Sequence, residues 1–210
     1  LELGGKSAAI VLDAADLATV VPSLLDAGLM NNGQACVATT RILASRANYA
    51  NVVDAVTEAV AALVVGDPLD MTTQIGPVVA ERQRDRILGL IETGRSEGAR
   101  ITTGGGRTGH DRGWFVEPTV FADVDNKMTI AQEEIFGPVL SVIPYDDVPD
   151  AIRIANDSQY GLSGSVWGEV EEATAIARKI QTGTINVNHF AMAFGAPFVR
   201  AELGARRSVD

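Results

Sequence analysis

Cys36 is the one cysteine in a chain of 210 residues. It stands in the stretch Asn31-Asn32-Gly33-Gln34-Ala35-Cys36-Val37-Ala38-Thr39-Thr40. A lone thiol has two readings. As a small hydrophobe it packs into a core and does nothing more. As a nucleophile it attacks a carbonyl carbon once a base or a local positive potential favours the thiolate. Two Asn, a Gly and a Gln directly before the thiol are poor core material and suit a loop that reaches a site. A nearby glycine also lets backbone N–H groups approach a reacting carbon, as an oxyanion hole requires. Composition names no base for the thiol: His110 and His189 lie far from it in sequence, and neither carries a pattern that ties it to Cys36. On these residues alone both readings stand.

Other chemical motifs fail on context. Gly104-Gly105-Gly106-Arg107-Thr108-Gly109 satisfies G-x-G-x-x-G, but a dinucleotide fingerprint must open a helix whose free N–H groups meet the pyrophosphate. Here a strand follows, so the stretch reads as a tight hairpin. Gly5-Lys6-Ser7 resembles the end of a phosphate-binding loop, yet an apolar strand stands where that helix belongs. Asn156-Asp157-Ser158 is a glycosylation sequon that means nothing without secretion.

Composition narrows the classes further. Seventeen basic against 27 acidic side chains give a formal charge of −10, with no basic cluster, which excludes a nucleic-acid partner. A hydrophobic fraction of 46 % with 21 % charged residues suits a folded chain. One cysteine makes no intrachain disulfide, which fits a reducing, cytoplasmic setting. Two isolated histidines and one cysteine predict no metal site. Apolar runs of about five or six residues fall far short of the roughly 20 that cross a bilayer.

Extended and helical patterns alternate throughout. Strands are predicted at Ala8–Leu12, Arg41–Ala44, Phe115–Phe121 (with Pro118 marking an edge), Pro138–Tyr145, Ser163–Trp167 and Thr184–Asn188. Helical stripes run from an N-cap at Asp16 through Leu25, from Asn51 through Val53, Val56, Val60 and Leu63, and from Ala80 to Glu97. Two more begin at Val148 and Val170. Pro22 is expected only in the first turns of its helix, or as a kink. This alternation implies βαβ units: an α/β fold in three layers, a mostly parallel sheet with helices on both faces.

Several stretches together resemble the NAD(P)-dependent aldehyde dehydrogenase superfamily. Glu2-Leu3-Gly4-Gly5-Lys6 and Gly33-Gln34-Ala35-Cys36 are similar to its paired active-site signatures. Gly66-Asp67-Pro68-Leu69 with Ile75-Gly76-Pro77, Glu133-Glu134-Ile135-Phe136-Gly137-Pro138-Val139, and Tyr160-Gly161-Leu162-Ser163 with Gly183-Thr184-Ile185-Asn186-Val187-Asn188 follow in the family's order. The resemblance implies a catalytic domain over 1–197 and an atypical tail over 198–210. It implies an oxidoreductase that converts an aldehyde to a carboxylic acid with NAD or NADP. Cys36 would be the thiolate that forms a thiohemiacetal and then a thioester, its own N–H helping to hold the oxyanion, and Glu2 the base for the deacylating water. Leu3 and Gly4 would meet the nicotinamide end of the cofactor, Glu134 its ribose hydroxyls, and Phe136 would pack beside the ring. Ala35, Val37, Phe194 and Phe198 would line the substrate tunnel.

The sequence departs from the family in three places. Leu29 stands where the cysteine motif usually has Phe. The family's nucleotide-binding domain and its oxyanion-hole Asn precede the point at which this sequence starts. After Phe198 the family's Gly-Gly pair, Ser-Gly-x-Gly-Arg-Glu stretch and oligomerisation strand are replaced by Val199–Asp210. Family members homo-oligomerise, and this chain lacks the strand they use. The expectation is a fragment with a frame-shifted tail, weakly active or inactive alone. The alternative is a non-catalytic partner subunit with at most residual thiol-esterase activity.

Overall fold

The computed structural model describes residues 4–190. Seven strands form one sheet: β1 (Ala8–Val11), β2 (Arg41–Ser45), β3 (Arg100–Thr103), β4 (Thr119–Ala122), β5 (Val139–Tyr145), β6 (Ser163–Trp167) and β7 (Thr184–Val187). Their spatial order is β3-β4-β5-β2-β1-β6-β7. Every neighbouring pair is parallel except β3 and β4, which run antiparallel. The helices are α1 (Leu17–Leu29), α2 (Tyr49–Ala61), α3 (Glu81–Ser96), α4 (Thr129–Gln132), α5 (Val148–Asn156) and α6 (Val170–Ala177).

Strand side chains alternate between two cores, which places helices on both faces. Ala9, Val11, Ile42, Ala44, Leu140 and Val142 join Val20, Leu24, Val52 and Val56 of α1 and α2. Ile10, Leu43, Phe121, Val139 and Ile143 join Ile87, Ile91, Ile154 and Ile176 of α3, α5 and α6. Central strands buried on both faces read as continuous apolar runs for this reason.

Four local expectations shift. Pro22 lies well inside α1, beyond its first turn. The helix forgoes one hydrogen bond there, and the burial of Val20, Val21, Leu24 and Leu29 outweighs that loss. The stripe read from Asn51 begins earlier, at Tyr49, and ends at Ala61, so Leu63 lies outside the helix. The strand read from Phe115 begins only at Thr119, directly after Pro118, whose missing N–H cannot join the ladder. The glycine run 104–109 does connect two antiparallel strands, but as a long loop from 104 to 118 rather than a tight turn. Among the described residues, no helix is long and apolar enough to cross a membrane.

Candidate functional site

Three loops meet at the amino ends of β1, β2 and β5. The first is Gly4-Gly5-Lys6, leading into β1. The second is the turn that carries Cys36 towards β2. The third is Glu134-Ile135-Phe136-Gly137, leading into β5.

The thiol loop follows α1 through a short 3-10 turn, Met30–Gly33, in which Asn31 and Asn32 take left-handed backbone angles (φ 49° and 57°). Asn tolerates this conformation better than most residues. The amide side chains then brace the loop. Asn32 Nδ2 donates to the Pro77 carbonyl (3.1 Å) and Asn32 Oδ1 accepts from Gly76 N–H (2.8 Å). Gln34 Oε1 accepts from Val79 N–H (3.0 Å). Ala38 N–H closes a turn on the Ala35 carbonyl (3.0 Å), with Cys36 at its exposed corner. Cys36 is therefore outside the core, and Ala35 and Val37 beside it are half-buried.

Close backbone approach joins the loops. A Cβ on Gly5 would sit 1.8 Å from the Cys36 carbonyl oxygen, and one on Gly33 would sit 2.0 Å from the Gly137 carbonyl oxygen. Gly33 serves this packing at a φ of +72°. Gly5 N–H donates to Glu134 Oε1 (2.9 Å). Gly4, at φ +71°, leaves room where a Cβ would lie 2.9 Å from the Tyr160 ring and 3.0 Å from Glu134 Oε2. The half-buried Glu134 thus faces a cradle that only glycine leaves open.

Phe136 adopts φ +57°, an uncommon backbone for a bulky side chain. Helix α3 holds it there. Gln83 Nε2 donates to the Phe136 carbonyl (2.8 Å), Arg86 Nη1 donates to the Ile135 carbonyl (2.8 Å), and Ile87 packs on Gly137. Glu2, Leu3, Phe194 and Phe198 lie outside the described residues.

Sequence reasoning passed over two cations in this region. Arg41, read only as the start of a strand, is buried and tied down. Its Nε donates to the Lys6 carbonyl (2.9 Å), its Nη1 to Asn126 Oδ1 (2.8 Å) and the Ile154 carbonyl (2.9 Å), and its Nη2 to the Ala155 carbonyl (3.0 Å). Burial lowers its pKa to about 10, while Asp157 works in the other direction. Lys6 is buried at the junction, and burial together with Arg41 lowers its amine to about 7, against the pull of Glu134 and Glu133. The signal for Arg41 was available: an arginine opening an otherwise apolar strand must find acceptors inside. Among the described residues, no group of three or more His, Cys, Asp or Glu side chains could hold a metal ion.

Comparisons with known proteins identify the family. The sequence matches the aldehyde dehydrogenase family over residues 1–201. Geranial dehydrogenase of Castellaniella defragrans is 54 % identical over 199 residues, covering 94 % of this chain and 41 % of that protein. Betaine aldehyde dehydrogenase of Rhizobium etli is 42 % identical over 193 residues, covering 90 % and 40 %. A crystal structure of Mycobacterium tuberculosis aldehyde dehydrogenase complexed with NAD+ superposes with a TM-score of 0.91 at 57 % identity, covering 93 % of this chain and 41 % of that one. The chain therefore spans about two fifths of the relatives it matches. With the family match across nearly its whole length and the same three-layer fold, this chain belongs to the aldehyde dehydrogenase family.

Proposed function

We propose that this chain is the thiol-bearing catalytic portion of an enzyme that oxidises an aldehyde to a carboxylic acid with NAD or NADP. The convergence of the Gly5 backbone on both the Cys36 carbonyl and the Glu134 carboxylate carries this reading. It ties the loop of a solvent-exposed thiol and a half-buried carboxylate to one glycine.

The Cys36 thiolate attacks the aldehyde carbon, forming a C–S bond and a thiohemiacetal oxyanion that the Cys36 N–H helps to hold. Water activated by Glu2 releases the acid from the later thioester and returns the thiol. The cradle at Gly4 and Glu134 fits the nicotinamide riboside end of a dinucleotide, with the carboxylate accepting from ribose hydroxyls and Phe136 beside the ring. Bound there, the dinucleotide would supply a hydride acceptor. The catalytic domain in this reading covers 1–197, the following segment 198–210 is a separate tail, Ala35, Val37, Phe194 and Phe198 border the aldehyde, and the enzyme works in the cytoplasm. Relatives of this chain are more than twice its length, so the 210 residues alone are expected to turn over slowly or not at all.

The test separates acylation from hydride transfer. The purified chain and its Cys36→Ala variant are incubated with an activated ester, and peptide mapping locates the acyl group. Calorimetry with NAD+ and an assay of aldehyde-dependent NADH formation run in parallel. Acylation of Cys36, absent in the variant, supports the nucleophile even where NADH formation is undetectable. Equal acylation of both proteins, or NADH formation that survives Cys36→Ala, overturns the proposal.

A further inference from the structure

Behind the glycine pair lies a small cavity lined by Lys6, Ser7, Arg41, Tyr160, Gly161 and Thr182, among others. Among the described residues, Lys6 Nζ, Ser7 Oγ and Thr182 Oγ1 are buried and have no hydrogen-bond partner. An orphaned buried polar atom costs about 1–3 kcal/mol, more when charged, so three around one cavity point to an occupant that satisfies them together. The cavity measures about 10 Å3 to the centre of a water molecule, which is room for one small occupant of about the size of a water.

The chemistry of the amine selects among small occupants. Lys6 is held near 7 by burial first and by Arg41 second, with Glu134 and Glu133 raising it and Arg86 lowering it slightly. Near neutrality both protonation states are populated. An ammonium needs an acceptor, and a neutral amine can also use a donor for its lone pair. A halide serves only the first state, whereas water serves both. The Ser7 and Thr182 hydroxyls likewise donate or accept as required.

We propose that Lys6, Ser7 and Thr182 form a binding site for a single buried water molecule, which hydrates the Lys6 amine in either protonation state. The water links the start of β1 to the loop between α6 and β7. Through Lys6 it braces the segment whose Gly5 N–H holds Glu134. The site stands on its own geometry and does not depend on the dehydrogenase reading.

Two measurements test it. Crystals of the chain grown with bromide in place of chloride, at a resolution that shows water, are expected to carry one peak within about 3 Å of all three polar atoms and no anomalous bromide signal there. A bromide peak, a protein side chain in the cavity, or direct bonds among the three groups would overturn the proposal. NMR titration of 15N-labelled lysine side chains in the wild type and in Thr182→Val gives the second measurement. Thr182 is only half-buried, so the near-isosteric change should leave the fold intact. Removing one of the water's anchors should move the Lys6 midpoint further below that of the wild type. An unchanged midpoint would sink the site.

Discussion

Strand β2 carries an arginine near each end, and the two sit in opposite surroundings. Arg41, at the amino end, is buried and gives four hydrogen bonds to Lys6, Asn126, Ile154 and Ala155. Arg46, just past the carboxyl end, is two-thirds exposed and pairs with the equally exposed Asp146. The same contrast extends across the sheet. At the amino ends, loops pass so closely that Gly5 and Gly33 admit no Cβ. At the carboxyl ends of β2, β4 and β5 lies an open polar groove of about 870 Å3, where Arg46, Asp123 and Asp146 lead to Asp150, Arg153 and Asp157 along α5. Ligands of open α/β sheets usually lie outside the carboxyl ends of the strands. Here the open groove is at that end, while the thiol, the Glu134 carboxylate and the glycine cradle gather at the other.

The sharpest way to break the comparison is to truncate both arginines. Arg41→Ala strands the Lys6 and Ala155 carbonyls and the Asn126 amide oxygen, and is expected to cost about 3–5 kcal/mol, enough to threaten folding. Arg46→Ala removes one solvent-screened ion pair and should leave the urea midpoint unchanged. Equal effects in chemical denaturation would mean that the two ends are not built differently. Gly5→Ala comes next. Its methyl group would have to displace the Cys36 carbonyl oxygen, at about 3 kcal/mol for overpacking against backbone. Alkylation kinetics of Cys36 read the same substitution independently, because the thiol loop must move to admit it.

Much of this was legible in the sequence, and the losses have physical causes. Strands β1, β2 and β5 show as short apolar runs because both of their faces are buried, and Ser163–Trp167 has the limits its sequence suggests. The Asn-Asn-Gly-Gln run correctly marks the thiol loop. What sequence could not give is the purpose of those amides: they bind the backbone of 76–79, a partner 44 or 45 positions away. The glycines of 4–5 and 33 were visible as letters, but close approach is a property of pairs of loops, and no local pattern names the second loop. Arg41 and Lys6 were missed for a related reason. A cation opening an apolar strand signals a buried anchor, but its acceptors lie on distant elements that no local pattern names.

Lys6 gives the amino end a pH signature in the range between about 7 and 10.5. Its amine is at about 7 in the folded chain, against an ordinary lysine value of 10.5. Between those values the unfolded chain binds a proton that the folded chain does not. Stability therefore rises with pH across about 7 to 10.5 through this group. Below about 7 both states carry the proton and the slope vanishes. Lys6→Met should flatten that rise in urea midpoints measured from pH 7 to 10, whereas Arg46→Ala should leave it in place. A wild-type curve already flat over this window would show that the amine is not buried as described.

The smallest effect expected is a gain. Gly89 lies on the exposed side of α3, where an added Cβ would meet no atom within 4 Å. Its only visible cost is the freedom glycine loses inside a helix, so Gly89→Ala should stabilise the fold by about 0.5–1 kcal/mol. Other positions of the same helix do different work, since Gln83, Arg86 and Ile87 hold the segment Ile135-Phe136-Gly137 in place. Gly5→Ala and Gly89→Ala are thus one chemical change made where backbones touch and where they do not. Opposite signs are required. If Gly89→Ala also destabilised the chain, the outer face of α3 would have to be covered in solution, and space around a glycine would no longer explain why the amino end admits no substitution.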